Sequence, residues 1–82
     1  MILEIITPDE KVFSGEIVSV NLPGSNGSFE VLANHAPLIS TLQKGNVKIN
    51  IEKGQEKSLL IDGGLAEVLN NKVIVLAEAV IG

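Results

Sequence analysis

The titratable side chains of this chain are one histidine, six lysines and ten carboxylates, and there is no cysteine. His35 lies in the run Val31-Leu32-Ala33-Asn34-His35-Ala36-Pro37-Leu38. As a general base it would need a nucleophile and an orienting partner, and the sequence places neither beside it. One histidine among scattered carboxylates does not make a metal-ligand pattern either. The readings left for His35 are a loop histidine held by local hydrogen bonds and a contact to a partner. Gly24-Ser25-Asn26-Gly27 could cradle phosphate with its backbone amides if a helix came after it. The next residues, Ser28-Phe29-Glu30-Val31, read as a strand instead, so a β-turn is the plainer reading. Lys72 comes after the turn pair Asn70-Asn71, between aliphatic segments. That is the setting of the modified lysine in biotinyl and lipoyl carrier domains, though those families flank their lysine differently. An intact mass showing unmodified Lys72 would remove the carrier reading. The carboxylates fall mostly in turns or on the polar phase of strands, and without Trp or Tyr there is no aromatic platform for sugar. A small β hydrolase ranks below the carrier, since no nucleophile–base pair is visible.

The elements that must position these residues are strands. Val47, Ile49 and Ile51 alternate with Lys48, Asn50 and Glu52, and Val18, Val20 and Leu22 alternate with Ser19 and Asn21. Both are period-2, β-branched patterns. Ile2–Ile6, Ser58–Ile61 and Lys72–Ala77 are apolar runs of strand length. Turn signals separate them at Pro8-Asp9-Glu10, Pro23-Gly24, Asn26-Gly27, Lys44-Gly45, Lys53-Gly54, Gly63-Gly64 and Asn70-Asn71, residues that set or tolerate turn dihedrals. No segment keeps a helical apolar stripe for ten residues without a glycine. Pro37 extends Ala36 and cannot donate to a ladder, so it marks an edge or a crossover. These signals together give an all-β sandwich or barrel, and 82 residues make one domain.

Composition narrows the function. The net charge is −4, with no arginine and only two aromatics, Phe13 and Phe29. A nucleic-acid binder would show a basic face or a stacking platform. No apolar run approaches the ~20 residues of a membrane span, and the start of the chain lacks a basic region and a small-residue cleavage site. Val, Ile and Leu make up 29 of the 82 residues. A two-layer β core does not need so many large aliphatics, so some should lie outside and form a contact surface.

The ordered set Gly24-Ser25-Asn26-Gly27, then the apolar strand, then His35-Ala36-Pro37-Leu38, then Gly45, resembles the epsilon subunit of F-type ATP synthases (delta in mitochondrial naming). Ile6-Thr7-Pro8 with Val12-Phe13-Ser14-Gly15 is similar to that family's first hairpin. Asp62-Gly63-Gly64 with Glu67-Val68, and Val73–Ala79, are similar to its last segments. The resemblance implies a ten-stranded β-sandwich of two five-stranded sheets over residues 1–82. It implies a non-catalytic central-stalk subunit, without cofactor or metal, that docks on the gamma subunit and the c-ring and couples ion flow to ATP synthesis. The implied place is the cytoplasmic face of the bacterial inner membrane, peripherally and without insertion. Matching the family residue by residue, Ser25, Asn26, Gly27, Ser28 and His35 are the implied c-ring contacts, and Thr7, His35 and Ser40 the implied gamma contacts. Asn26 and Ser28 stand where family members often carry acidic residues. The family's two-helix C-terminal domain is expected to be absent, because Gly82 directly follows the last strand. A surface shaped for gamma is expected to self-associate when gamma is missing.

Overall fold

Asn70 and Asn71 both hold positive φ, 51° and 61°, the geometry of a two-residue hairpin turn whose twist matches the strands it joins. This and other turns divide the chain into nine strands. In the computed structural model, which describes residues 1–81, these are β1 (Ile2–Ile6), β2 (Lys11–Glu16), β3 (Ser19–Leu22), β4 (Phe29–Leu32), β5 (Leu38–Leu42), β6 (Gly45–Glu52), β7 (Gln55–Ile61), β8 (Gly64–Leu69) and β9 (Lys72–Ala77). No helix occurs among the described residues, and so none there is long and apolar enough to cross a membrane.

The strands form a five-stranded sheet in the order β2-β1-β9-β8-β5 and a four-stranded sheet in the order β4-β3-β6-β7. β1 pairs antiparallel with β2 and parallel with β9, so the first and last strands lie side by side. The chain crosses between sheets from β4 to β5 through the segment holding Pro37, and β5 is an edge strand, as the proline requires. The two sheets bury one aliphatic core. Leu3, Ile5, Val73, Val75, Ala66 and Val68 come from the larger sheet, and Val20, Leu22, Val31, Val47, Ile49 and Ile61 from the smaller. The Lys57 ammonium on β7 sits over the Phe13 ring on β2, 5.6 Å from its centre, a cation–π contact between the two sheets.

Two expectations are corrected. The tenth strand is present only as an isolated bridge, Val80 to Ile61, supported by backbone hydrogen bonds from Ile81 N–H to Leu60 O and from Asp62 N–H to Ala79 O. After β9 the chain leaves one sheet for the other, and the described chain supplies one pair there where a ladder needs several. The sandwich therefore has five and four strands. Val18 does not join the inward phase of β3: it precedes the strand and is 55% exposed, while Ser19 is buried. Ser19 Oγ accepts a hydrogen bond from Asn50 Nδ2 at 2.8 Å, which satisfies the buried hydroxyl.

Candidate docking surface

The two outer faces of the sandwich differ in chemistry. Pairing register fixes which side chains share a face. On the five-stranded sheet, Ile6, Leu76, Leu65 and Thr41 form one outward row. Glu4, Ile74, Glu67 and Ile39 form the next. Ile2, Lys72 and Leu69 form the third. Five of these aliphatics remain open to solvent, from 37% at Ile2 and Leu65 to 68% at Ile39. On the four-stranded sheet the outward phase carries Asn21, Glu30, Lys48, Asn50, Glu56 and Ser58. Its aliphatics are Leu32, 54% exposed, the half-buried Leu60 and, where the chain meets β7, Ile81. The surplus of aliphatics read from composition is thus gathered mainly on one face, the arrangement of a contact surface.

Charge on the aliphatic face is partly internal. Glu4 lies between Lys11, at 3.3 Å, and Lys72, at 3.7 Å. Lys72 is the first residue of β9 and its ammonium is drawn over the sheet, whereas the hairpin tip is Asn70-Asn71. A carrier lysine must project from its turn, and this one is tied back to a carboxylate.

At one end of this face the β1–β9 pair opens into a recess of about 360 Å³, lined by Ile6, Thr7, Pro8, Leu76, Ala77 and Glu78. Thr7 sits at its rim, half-buried. Its Oγ1 accepts a hydrogen bond from Glu10 N–H at 3.3 Å and its backbone N–H donates to Glu10 O at 2.9 Å, which closes the β1–β2 hairpin. The Gly24–Ser28 turn is at the same end of the sandwich. Gly24 is bridged to Leu42, and Ser25 N–H donates to Thr41 O at 2.9 Å. Gly27 N–H donates to Gly24 O at 3.0 Å, the hydrogen bond of a β-turn, and strand β4 comes next. A Cβ on Gly24 would lie 2.6 Å from Gly27 O, so the turn closes tightly on a glycine. Ser25, Asn26, Gly27 and Ser28 are all exposed.

His35 is at the other end. β4 runs from the turn to Leu32, so the loop it enters lies a full strand length away from Ser25–Ser28. That loop is anchored by Asn34, at φ 63°, whose N–H donates to Asn71 Oδ1 at 2.9 Å. His35 Nδ1 lies 2.7 Å from Ala36 O, a contact that a carbonyl accepts and a protonated Nδ1 donates. Ser40, in the middle of β5, takes the inward phase of an edge strand, and its Oγ donates to Thr41 O at 3.0 Å. Its neighbours Ile39 and Thr41 face outward. The structure therefore brings Thr7 and the turn to one end, sets His35 at the opposite end, and leaves Ser40 between them at the sheet edge. Sequence reasoning missed Ile39, Leu65, Leu69 and Leu76 as surface residues. For Leu65 and Leu69 the signal was their alternation, with Glu67, against Ala66 and Val68.

Comparison with known proteins bears on the whole chain. The family model described as the ATP synthase delta/epsilon chain beta-sandwich domain matches residues 1–82. A protein of Chlorobaculum tepidum named ATP synthase epsilon chain is 47% identical over 78 residues, which is 95% of this chain and 89% of the relative. Another of that name, from Desulfatibacillum aliphaticivorans, is 43% identical over 79 residues, but these are only 56% of its length. Among solved structures, a chain of the Euglena gracilis mitochondrial ATP synthase, a cryo-EM structure of OSCP, F1 and c-ring, superposes with a TM-score of 0.92 at 24% identity. The match covers 99% of this chain and 52% of that one. At that identity the superposition speaks for the fold, while the sequence matches speak for kinship. The chain belongs to the ATP synthase delta/epsilon chain β-sandwich domain family.

Proposed function

We propose that this chain works as a central-stalk component of an F-type ATP synthase, without an active site of its own. It docks on the gamma subunit through the outer face of the five-stranded sheet and on the c-ring through the Gly24–Ser28 turn. It turns with the stalk and passes torque between ring and gamma, held peripherally at the cytoplasmic face of the membrane. The observation that carries this reading is the contrast between the two outer faces: one aliphatic across four strands, the other mostly polar with its few aliphatics scattered at Leu32, Leu60 and Ile81. Removing apolar surface of that kind from water is favourable by roughly 25 cal/mol per Å² before the costs of association, and a stalk partner would supply that cover.

Two contacts need two separate surfaces, and the fold offers them. The exposed turn projects from one end of the sandwich, and the aliphatic face lies along its side. Ser25, Asn26, Gly27 and Ser28 are assigned to the ring, Thr7 and Ser40 to gamma, and His35, at the end of the sandwich opposite the turn, to a contact with either partner. Left alone, the same face drives self-association of the isolated domain.

The test is size-exclusion chromatography of this chain mixed with the gamma subunit of the same synthase at micromolar concentration. Co-elution at a mass above either component is expected. Separate elution would remove the reading.

A further inference from the structure

Glu67 is a carboxylate in the middle of the aliphatic face, and it lines one shallow depression with Lys72 without pairing to it. In its row it stands between Ile74 on β9 and Ile39 on β5. Along β8 its outward neighbours are Leu65 and Leu69. Glu4, the other carboxylate in that row, has Lys11 and Lys72 within ion-pair distance. Glu67 makes no ion pair among the described residues, and Lys72, the nearest cation on this face, is held at Glu4. In water the arrangement is harmless, because Glu67 is exposed. Once a partner covers the face, the Glu67 carboxylate loses its hydration among four aliphatic side chains. A charge dehydrated in that way without a counter-charge opposes association by more than its neighbours' contacts contribute.

We infer that the surface covering this face is aliphatic and carries one cationic side chain, lysine or arginine, placed opposite Glu67. The inference rests on the docking reading above and adds the partner's chemistry to it. The pair would fix the register of the two surfaces, since an aliphatic patch alone slides while a single buried ion pair has one position. It also fits the overall charge of −4, which favours encounter with a basic patch.

The experiment measures the affinity of wild type, Glu67→Leu and Glu67→Gln for the gamma subunit, each at low and moderate salt. Thermal melting confirms that the variants stay folded, as substitution of an exposed side chain should allow. With a cation opposite, Glu67→Leu leaves that cation buried and alone, and affinity falls about thirtyfold or more, with Glu67→Gln changing in the same direction. The salt dependence seen with wild type also weakens in both. Without a cation, including the case in which Lys72 swings across to serve Glu67, the leucine extends the aliphatic face and binding is unchanged or tighter. That result overturns the inference while leaving docking intact. If wild type does not bind gamma at all, the docking reading fails and the cationic partner fails with it.

Discussion

Replacing Gly64 with alanine is expected to lower the stability of the domain by about 3 kcal/mol or more. Gly64 opens β8 at φ +153°, and a Cβ built there would lie 2.1 Å from Leu76 O and 3.0 Å from Ala77 Cα. Both obstacles are backbone of β9, the strand at the centre of the larger sheet, and neither can rotate away as a side chain tip would. The backbone conformation is also one that an L side chain rarely takes. The two costs act together, so the strand pair Gly64–Ala77 must separate or β8 must shift register. For a domain of this size about 3 kcal/mol corresponds to a fall in melting temperature of roughly 15 °C. Gly27→Ala is the contrast. Gly27 also has positive φ, +125°, but nothing lies within 4 Å of its added Cβ, so only conformational strain, on the order of 1–2 kcal/mol, applies and no clash adds to it. Thermal unfolding monitored by circular dichroism separates the two. Equal shifts would mean that the close approach at Leu76 does not exist.

The second large effect is on binding. Ile39→Asp combined with Leu76→Asp is expected to weaken the complex with gamma about a hundredfold or more. Ile39 is 68% exposed and Leu76 47%, and they occupy different rows of the face. In the free domain each aspartate can stay hydrated, so the melting temperature should move only a few degrees. In the complex each carboxylate would be dehydrated against aliphatic surface. Leu32→Asp supplies the control. Leu32 is 54% exposed on the outward phase of the four-stranded sheet, so it adds the same kind of charge to the opposite face and should leave the affinity as it was. A comparable loss from Leu32→Asp would point to general charge repulsion and not to a docking face. Surface plasmon resonance over a range of gamma concentrations gives the comparison directly.

Much of the fold could be read from local pattern, and the reason is visible in particular strands. Lys72–Ala77 and Ile2–Ile6 coincide with β9 and β1, because short β-branched runs between turn residues have few other conformations open to them. Pro37 marked the crossover to an edge strand. What could not be read was which side of each strand faces in. In β1 and β9 the aliphatics occupy both phases, so Ile2, Ile6, Ile74 and Leu76 looked no different from Leu3, Ile5, Val73 and Val75. The phase is settled only when β9 pairs with β1 and β8 and the sheet packs on the other one, and both are long-range properties. Gly63-Gly64 read as a turn signal, while the stricter demand on Gly64 comes from the approach of Leu76 O across the sheet.

The candidate site shows the same limit. The turn at Gly24–Gly27 was legible, since a strand pattern after the glycines excluded a helix-borne anion site. Ser40 and His35 were named by resemblance, and sequence order does not reveal that Ser40 takes the inward phase while His35 lies a strand length from the turn. The tenth strand of the family pattern contracts to the Val80–Ile61 bridge, a matter of how many pairs form at a sheet edge and not of residue type.

On the proposed reading, one face of the sandwich and not the other receives the gamma subunit. Methyl NMR of the labelled domain titrated with gamma tests it most directly. The outward methyls of Ile2, Ile6, Ile39, Ile74, Leu65, Leu69 and Leu76 are expected to shift or broaden together, with Leu32 and Val18 unchanged. Perturbation centred on Leu32 and the four-stranded sheet, with the outward methyls of the larger sheet unmoved, would contradict it.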